Sequence, residues 1–172
     1  MIEYRHALPS DAAVLVRLGS ETFVETFGHL YRPEDLAAFL ESHREERWRE
    51  TLAQPEVEVR LAEEDDRAFG YATLAPRALP VEPSGPALEL RQLYILKGWH
   101  GRGAAQALMA WVLERARARR AEELYLSVWT GNARAKAFYR RYGFAYVAPY
   151  AFMVGEQADE DEIWRLDLRQ AQ

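Results

Sequence analysis

The chain has 172 residues, with 22 basic and 27 acidic side chains, a formal net charge of −5 and no cysteine. This length favours a single domain over residues 1–172, with a core large enough to fold without a metal or a disulfide. The lack of cysteine excludes disulfides, thiolate metal sites and a cysteine nucleophile, while the acidic balance argues against a nucleic-acid partner and favours a cationic one.

The N-terminal residues Met1 to His6 are charged and lack the apolar core of a secretory signal. No stretch approaches the ~18 consecutive apolar residues of a membrane span. We therefore expect a cytoplasmic protein without a membrane partner. No metal site is expected either, because the four histidines do not show ligand spacing.

Helices are expected early in the chain, after a short strand over residues 2–8. Apolar residues recur at helical spacing from about Ala12, and Ser10 or Asp11 could cap this helix. A second helix should follow Pro33, and a third, rich in charge, should occupy residues 44–52.

From residue 57 the spacing changes to the alternation of a β-strand. Strands at 57–61 and 67–74 should form a hairpin around a polar turn at 63–66, followed by a proline-rich loop. The later expected elements are a strand at 88–96, a helix at 101–120, a strand at 124–129, a helix at 132–142, and strands at 144–153 and 163–168. This order predicts an α/β fold in which helices cover one mixed sheet.

The turn between the strand at 88–96 and the next helix is rich in small residues. It reads His100-Gly101-Arg102-Gly103-Ala104-Ala105. Glycine lets the backbone approach a ligand closely, and the free amides at a helix start bind anions, so the expected ligand is a phosphate or pyrophosphate. The pattern is not a P-loop, and it is a poor dinucleotide fingerprint because the third small residue is missing.

A second motif follows the next strand. It reads Asn132-Ala133-Arg134-Ala135-Lys136-Ala137-Phe138-Tyr139-Arg140-Arg141-Tyr142-Gly143-Phe144. Together with the glycine-rich turn, this Asn-x-x-Ala-x-x-Phe-Tyr-x-x-x-Gly-Phe pattern resembles the GNAT family of acetyl-CoA-dependent N-acetyltransferases. The resemblance implies a mixed, mostly antiparallel sheet with splayed central strands, acetyl-CoA as co-substrate, and acetyl transfer to an amine.

The resemblance also implies roles for individual residues. Backbone groups of Tyr94 and Ile95, where the family's fourth strand bulges and splays, would hold the pantetheine arm, and Asn132 would reach the coenzyme. Tyr139 matches the tyrosine that protonates the departing thiolate, which suits a phenol that is protonated at neutral pH. The residues that would cradle the pyrophosphate are His100, which stands where the family has arginine or glutamine, Gly101, Arg102, Gly103, Ala104 and Ala105.

Within the family, the chain resembles the PaiA-like spermine/spermidine N-acetyltransferases. The segments that carry this resemblance are Glu21-Thr22-Phe23, Pro33-Glu34-Asp35-Leu36, Ser127-Val128-Trp129 and Phe152-Met153-Val154-Gly155. The implied acceptor is a small, cationic, polyamine-like amine, for which His29, Tyr31 and Trp129 are the candidate binding residues.

The general base stays open at this point. A protonated amine must lose a proton before it attacks, yet Arg91 occupies the position on the fourth strand where several polyamine-acetylating relatives have a carboxylate. Glu89 lies two residues earlier and shares a strand face with Arg91, so we hypothesise that Glu89 acts as the base through a water. The alternative is that Glu89 and Arg91 only pair with each other.

Direct attack in a ternary complex is expected, because the motif supplies an acid but no covalent nucleophile. Two other functions stay open, namely acetylation of a peptide α-amine or a lysine, and a non-catalytic CoA-binding regulatory domain, against which Tyr139 argues. Exposed sheet edges at the last strands would allow a homodimer. The acidic segment 156–162 is expected to be a hairpin turn that attracts a cationic amine.

Overall fold

The computed structural model describes residues 1–170, and these build one seven-stranded sheet covered by helices. The strands are β1 (Ile2–His6), β2 (Glu58–Glu64), β3 (Arg67–Pro76), β4 (Ala87–Ile95), β5 (Glu123–Trp129), β6 (Ala145–Val154) and β7 (Gln157–Asp167). Their order in the sheet is β1-β2-β3-β4-β5-β7-β6, and every neighbouring pair is antiparallel except β4 and β5. The mixed, mostly antiparallel sheet expected from the sequence is confirmed.

Five α-helices accompany the strands within residues 1–170. They are α1 (Ala12–Phe27), α2 (Pro33–Glu41), α3 (Glu45–Leu52), α4 (Ala104–Ala118) and α5 (Ala133–Arg141). The α4 helix is shorter than the predicted 101–120 because Gly101 and Gly103 adopt positive φ angles and form a turn before it. No helix within residues 1–170 is long and apolar enough to cross a membrane.

The core lies on both faces of the sheet. On one face, α4 packs on β3 and β4 through fully buried Leu108, Met109 and Val112. On the other face, the ring of Tyr71 on β3 meets the ring of Trp48 on α3 edge-on, at 5.7 Å between centroids. The helices therefore hold β3 and β4 rigidly from both sides.

The first hairpin differs from the prediction in its turn. Only Asp65 and Asp66 form the turn, with φ angles of 51° and 59°, and Glu63 and Glu64 belong to β2. A two-residue turn with two positive φ angles matches the twist of the flanking strands. The β2 strand can therefore continue through Glu63 and Glu64, although their charge indicated a turn.

The two central strands diverge. The parallel pairing of β4 with β5 is limited to Ala87–Glu89 and Glu123–Tyr125, so the later residues of both strands have no neighbour between them. A bulge does occur in β4, but at Arg91, because Thr73 pairs with Gln92 while Leu74 pairs with Leu90. The expected position of the bulge at Tyr94 and Ile95 was therefore wrong, although both residues lie beside the gap.

The last two strands also differ from the prediction. The β7 strand begins at Gln157 rather than Ile163, so most of the acidic segment is strand and the turn before it is Gly155–Glu156. Alternation in β7 sends Asp159 and Asp161 to one face and Glu160 and Glu162 to the other. The charge expected in one solvated turn is therefore divided between two faces of the sheet.

The β6–β7 turn is attached to the start of α2. The Asp35 carboxylate accepts a hydrogen bond from the Glu156 backbone N–H at 3.0 Å and pairs with Arg32 at 2.8 Å. A Cβ atom on Gly155 would lie 2.4 Å from Asp35 Oδ1, so this close approach requires glycine. The contact fixes the helical segment 28–41 over the cleft-facing side of β6 and β7.

Candidate active site

A cleft opens where β4 and β5 diverge, and it connects the two faces of the sheet. Its volume is about 780 Å³. The residues predicted from the sequence that line it are His29, Tyr31, Glu89, Tyr94, Ile95, His100, Gly101, Gly103, Ala104, Ala105, Trp129, Asn132 and Tyr139. Arg102 is the exception, since its guanidinium points away and pairs with Glu64 at 2.6 Å.

The glycine-rich turn forms an anion cradle at one end of the cleft. Gly101 and Gly103 have φ angles of 76° and 85°, and no atom lies within 4 Å of the position that a Cβ would take at either residue. Gly103 is also the N-cap of α4, so no side chain covers the first amides of that helix. Free amides and the positive end of the helix dipole together suit a phosphate or pyrophosphate group.

The side chain of His100 stabilises this turn through two hydrogen bonds. Its Nε2–H donates to the backbone oxygen of Ile95 at 2.8 Å, and its Nδ1 accepts from the guanidinium of Arg134 on α5. These partners require the tautomer with the proton on Nε2. Arg134 was not predicted from the sequence, and it brings a positive charge beside the anion cradle.

The backbone of β4 offers hydrogen-bond donors to the cleft. The Leu96 N–H donates to the Phe69 oxygen at 2.9 Å, and Tyr94 lies directly opposite Tyr71. Because antiparallel ladders alternate, the peptide groups of Leu93 and Ile95 point away from β3 and into the gap. The backbone of Ile95 therefore faces the gap. The backbone of Tyr94 faces β3 instead, so this residue can offer only its side chain to the cleft.

Tyr139 lies on α5 and lines the cleft. Its ring packs edge-on against Phe138 and Phe144, at centroid distances of 5.5 and 5.7 Å. Burial raises the pKa of Tyr139 well above its usual value, and the neighbouring Tyr94 adds to this effect, so the phenol is protonated at neutral pH. Asn132 caps α5, because its Oδ1 accepts the Ala135 N–H at 3.1 Å and leaves only the amide NH₂ to reach a ligand.

The opposite end of the cleft combines aromatic rings with carboxylates. Trp129 meets Phe27 edge-on at 6.1 Å, and the Tyr31 hydroxyl donates to Asp159. Asp161 lines the same space. Burial and the repulsion of Asp159 and Glu162 raise the pKa of Asp161 to about 7.

Asp159 and Asp161 were missed as individual residues because their charge density indicated a turn. Side chains alternate between the two faces along a strand, so extending the strand backwards from Ile163 places Asp159 and Asp161 on the same face of the sheet. This alternation is the signal that could have identified them. Leu93 and Arg134 were missed for another reason, since a backbone donor and a charge in a first helical turn carry no sequence signal of their own.

Glu89 is deeply buried and held by the loop that follows β3. Its Oε1 accepts the backbone N–H groups of Ala78 and Leu79 at 3.0 and 2.9 Å. Its Oε2 lies 3.8 Å from Nε of Arg91, so the neighbour pair considered from the sequence is present. These contacts give Glu89 a structural task, because it fixes the start of the loop 77–86.

Titratable side chains of the described part of the chain do not form a metal centre. Within residues 1–170, no group of three or more histidine, aspartate or glutamate side chains could hold a metal ion.

Comparisons with known proteins agree with this geometry. The family model of the acetyltransferase (GNAT) family matches residues 24–144. An uncharacterised N-acetyltransferase of Mycobacterium tuberculosis is 32% identical over 160 residues, which cover 92% of this chain and 99% of that protein.

Solved structures match over nearly the whole chain. The PaiA N-acetyltransferase of Thermoplasma acidophilum in complex with coenzyme A has a TM-score of 0.77 at 17% identity, with 97% of this chain and 99% of that one covered. A ribosomal-protein-alanine N-acetyltransferase from Brucella melitensis has a TM-score of 0.73 at 24% identity, with 96% and 99% covered. Because a ribosomal-protein-alanine N-acetyltransferase shares this fold, the fold alone does not identify the acceptor as a small amine.

Proposed function

Because this chain belongs to the GNAT family of acetyltransferases, and is therefore an acyltransferase with acetyl-CoA as co-substrate, we propose that its acceptor is the primary amine of a small, cationic, polyamine-like molecule. The chain acts as a single N-acetyltransferase domain, and the amine attacks the thioester directly in a ternary complex. Family membership also sets aside the alternative of a non-catalytic regulatory domain.

The coenzyme occupies the half of the cleft beside α4 and α5. The amides that begin at Gly101 hold the pyrophosphate, and Arg134 supplies a nearby cation. The N–H groups of Leu93 and Ile95 bind the pantetheine arm and polarise the thioester carbonyl. This assignment is supported by the open space over the turn and by the unpaired edge of β4.

Tyr139 acts as the acid for the leaving group. As the bond between the carbonyl carbon and sulfur breaks, the thiolate of coenzyme A takes the phenolic proton. A thiol with a pKa near 8.5 leaves readily, so a weak acid is sufficient for this step. The role requires that Tyr139 hold its proton over the whole neutral range, and burial ensures this, although the raised pKa also makes the phenol a weaker acid.

The end of the cleft opposite the glycine-rich turn, which we call the acceptor half, suits a small cation. Two carboxylates, Asp159 and Asp161, face the same space as the rings of Trp129 and Tyr31. An ammonium group gains Coulomb attraction from the carboxylates and a cation–π contribution of about 0.5–2 kcal/mol from an aromatic face. A neutral acceptor gains neither.

The test is the release of coenzyme A from acetyl-CoA with a panel of acceptors. Spermidine and n-butylamine should support turnover, and 1-butanol, which has the same carbon chain without the amine, should not. A peptide with a free N-terminal alanine tests the remaining alternative. Turnover with the peptide and not with either amine would contradict the proposal.

A further inference from the structure

Acetyl transfer to a cationic amine requires a proton acceptor in the acceptor half of the cleft. A primary alkylamine has a pKa of about 10.4 and is almost entirely protonated at neutral pH. Its nitrogen has no lone pair to attack with until one proton leaves. Glu89 is engaged by two backbone N–H groups, and β4 offers Arg91 on the same face, so β4 does not supply a free carboxylate.

Resting on the proposed function, we infer that Asp161 on β7 takes this proton and is a catalytic residue of the reaction. The register of the sheet puts Asp161 directly opposite Trp129 on β5 and Tyr150 on β6. All three residues line the cleft, at the edge where β5 turns away from β4. The carboxylate therefore faces the gap through which the amine must reach the thioester.

Asp159 does not serve this purpose, although it lines the same space. One of its oxygens accepts from the Tyr31 hydroxyl and the other from Gln157 Nε2 at 3.3 Å. Within residues 1–170, by contrast, no hydrogen-bond donor or cation stabilises the Asp161 carboxylate. Asp161 is thus the acid side chain on this face of β7 that remains free to bind and deprotonate an ammonium group.

The surrounding groups tune Asp161 toward neutrality. Burial is the largest cause, and the charges of Asp159 and Glu162 on its own strand add repulsion, so that its pKa rises to about 7. The phenols that approach from the other elements stay protonated, because burial raises the pKa of Tyr94 to about 12 and raises that of Tyr31 further. A base is most effective when its pKa lies near the working pH.

The other elements around the cleft also contribute charged or titratable groups. They are Glu25 on α1, His29 and His43 on the segments after α1 and α2, Arg91 on β4, Lys97 and His100 after β4, and Arg134 and Arg141 on α5. Glu25 is occupied, because it accepts the Lys97 backbone N–H at 3.0 Å. A cationic amine bound at Asp161 would lower the pKa of that carboxyl until the proton is transferred.

Two protons leave the nitrogen in each turnover. The ammonium gives one proton to Asp161, and the nitrogen lone pair then forms the bond to the carbonyl carbon. When the carbon–sulfur bond breaks, the thiolate takes the proton of Tyr139, and the second proton lost by the nitrogen restores that phenol. Asp161 releases its proton to solvent, so one proton is released for each amide formed.

The experiment measures kcat/KM for spermidine and for n-butylamine against pH in the wild type, in Asp161→Asn and in Asp159→Asn. The wild-type rate should rise through about pH 7, where Asp161 loses its proton. Asp161→Asn should lose this rise and about 10²–10⁴-fold in rate at neutral pH. The loss should shrink as the pH approaches about 10, because the free amine then no longer needs a base. Asp159→Asn removes a repelling charge and should move the rise to lower pH.

Binding of coenzyme A to each variant shows whether it folds, since that site lies on the other face of the sheet. An Asp161→Asn variant that binds coenzyme A and keeps the wild-type rate and profile would overturn the inference, and so would a loss that is equal at every pH. If Asp161→Asn does not bind coenzyme A, Asp159→Asn provides the test instead. A pH profile of kcat/KM that is unchanged in Asp159→Asn would count against Asp161 as the base. A wild type that acetylates neither amine refutes the proposed function itself.

Discussion

Replacing Tyr139 by phenylalanine removes the proposed acid and leaves the aromatic packing in place. The ring keeps its edge-on contacts with Phe138 and Phe144, at 5.5 and 5.7 Å. Only the hydroxyl is lost, and no side-chain or backbone group within residues 1–170 depends on it for a hydrogen bond. The free energy of unfolding should therefore change by less than about 1 kcal/mol.

The variant should also be slower, because the leaving group loses its proton donor. Without a donor the thiolate must leave unprotonated into a partly buried site. General acids contribute typically about 10²–10⁴-fold, and the low pKa of a thiol puts this case at the lower end. We expect kcat to fall about 100-fold, which corresponds to about 2.7 kcal/mol of transition-state stabilisation.

The assay is steady-state release of coenzyme A with saturating spermidine, combined with calorimetric binding of acetyl-CoA. We expect kcat to fall while the dissociation constant of acetyl-CoA stays within a factor of about two, since RT ln 2 is only about 0.4 kcal/mol. An unchanged kcat, measured with an amine that turns over well, would refute the role of Tyr139. A parallel loss of acetyl-CoA binding would instead give the hydroxyl a binding role.

Three further predictions concern other parts of the cleft. Glu89→Gln should keep the pH profile of kcat/KM, and loss of the rise in kcat/KM with pH in this variant would restore Glu89 as the base. Glu89→Ala should lower the unfolding free energy by about 1–3 kcal/mol, because the amides of Ala78 and Leu79 lose their acceptor. Gly103→Ala should cost about 1–2 kcal/mol in stability or coenzyme binding, because the φ angle of this residue is 85°. Gly98→Ala is the neutral control in the same thermal and calorimetric assays. A Cβ at Gly98 would also have open space around it, but Gly98 has no positive φ. Added salt should raise KM for spermidine and leave kcat unchanged, because it screens the carboxylates of the acceptor half; a KM independent of ionic strength would speak against charge attraction.

The residues predicted for the coenzyme half of the site lie together along one cleft because the features that define them are local. A glycine-rich turn at a helix start carries its own backbone conformation, and the motif around Tyr139 lies within one short helix. Even there, the local pattern misplaced the bulge of β4, because a bulge is set by pairing with β3. The shift between Thr73 and Leu74 that leaves Arg91 unpaired has no counterpart in the residue types.

The acceptor half could not be predicted in the same way. It depends on contacts between distant segments, such as the hydrogen bond from Tyr31 to Asp159 across 128 residues of chain. Charge density in the segment 156–162 also indicated a turn, whereas pairing with β5 and β6 extends β7 through it. Tertiary pairing thus overrode local composition, and the cleft-facing carboxylates became visible only with the sheet register.

The choice of a small cationic amine over a peptide is the central claim, and one competition experiment tests it most directly. Equal concentrations of spermidine and a peptide with an N-terminal alanine are incubated with limiting acetyl-CoA, and the products are identified by mass spectrometry. The carboxylates and aromatic rings of the acceptor half predict that acetyl groups appear predominantly on spermidine. Acetylation found mainly on the peptide would contradict the claim.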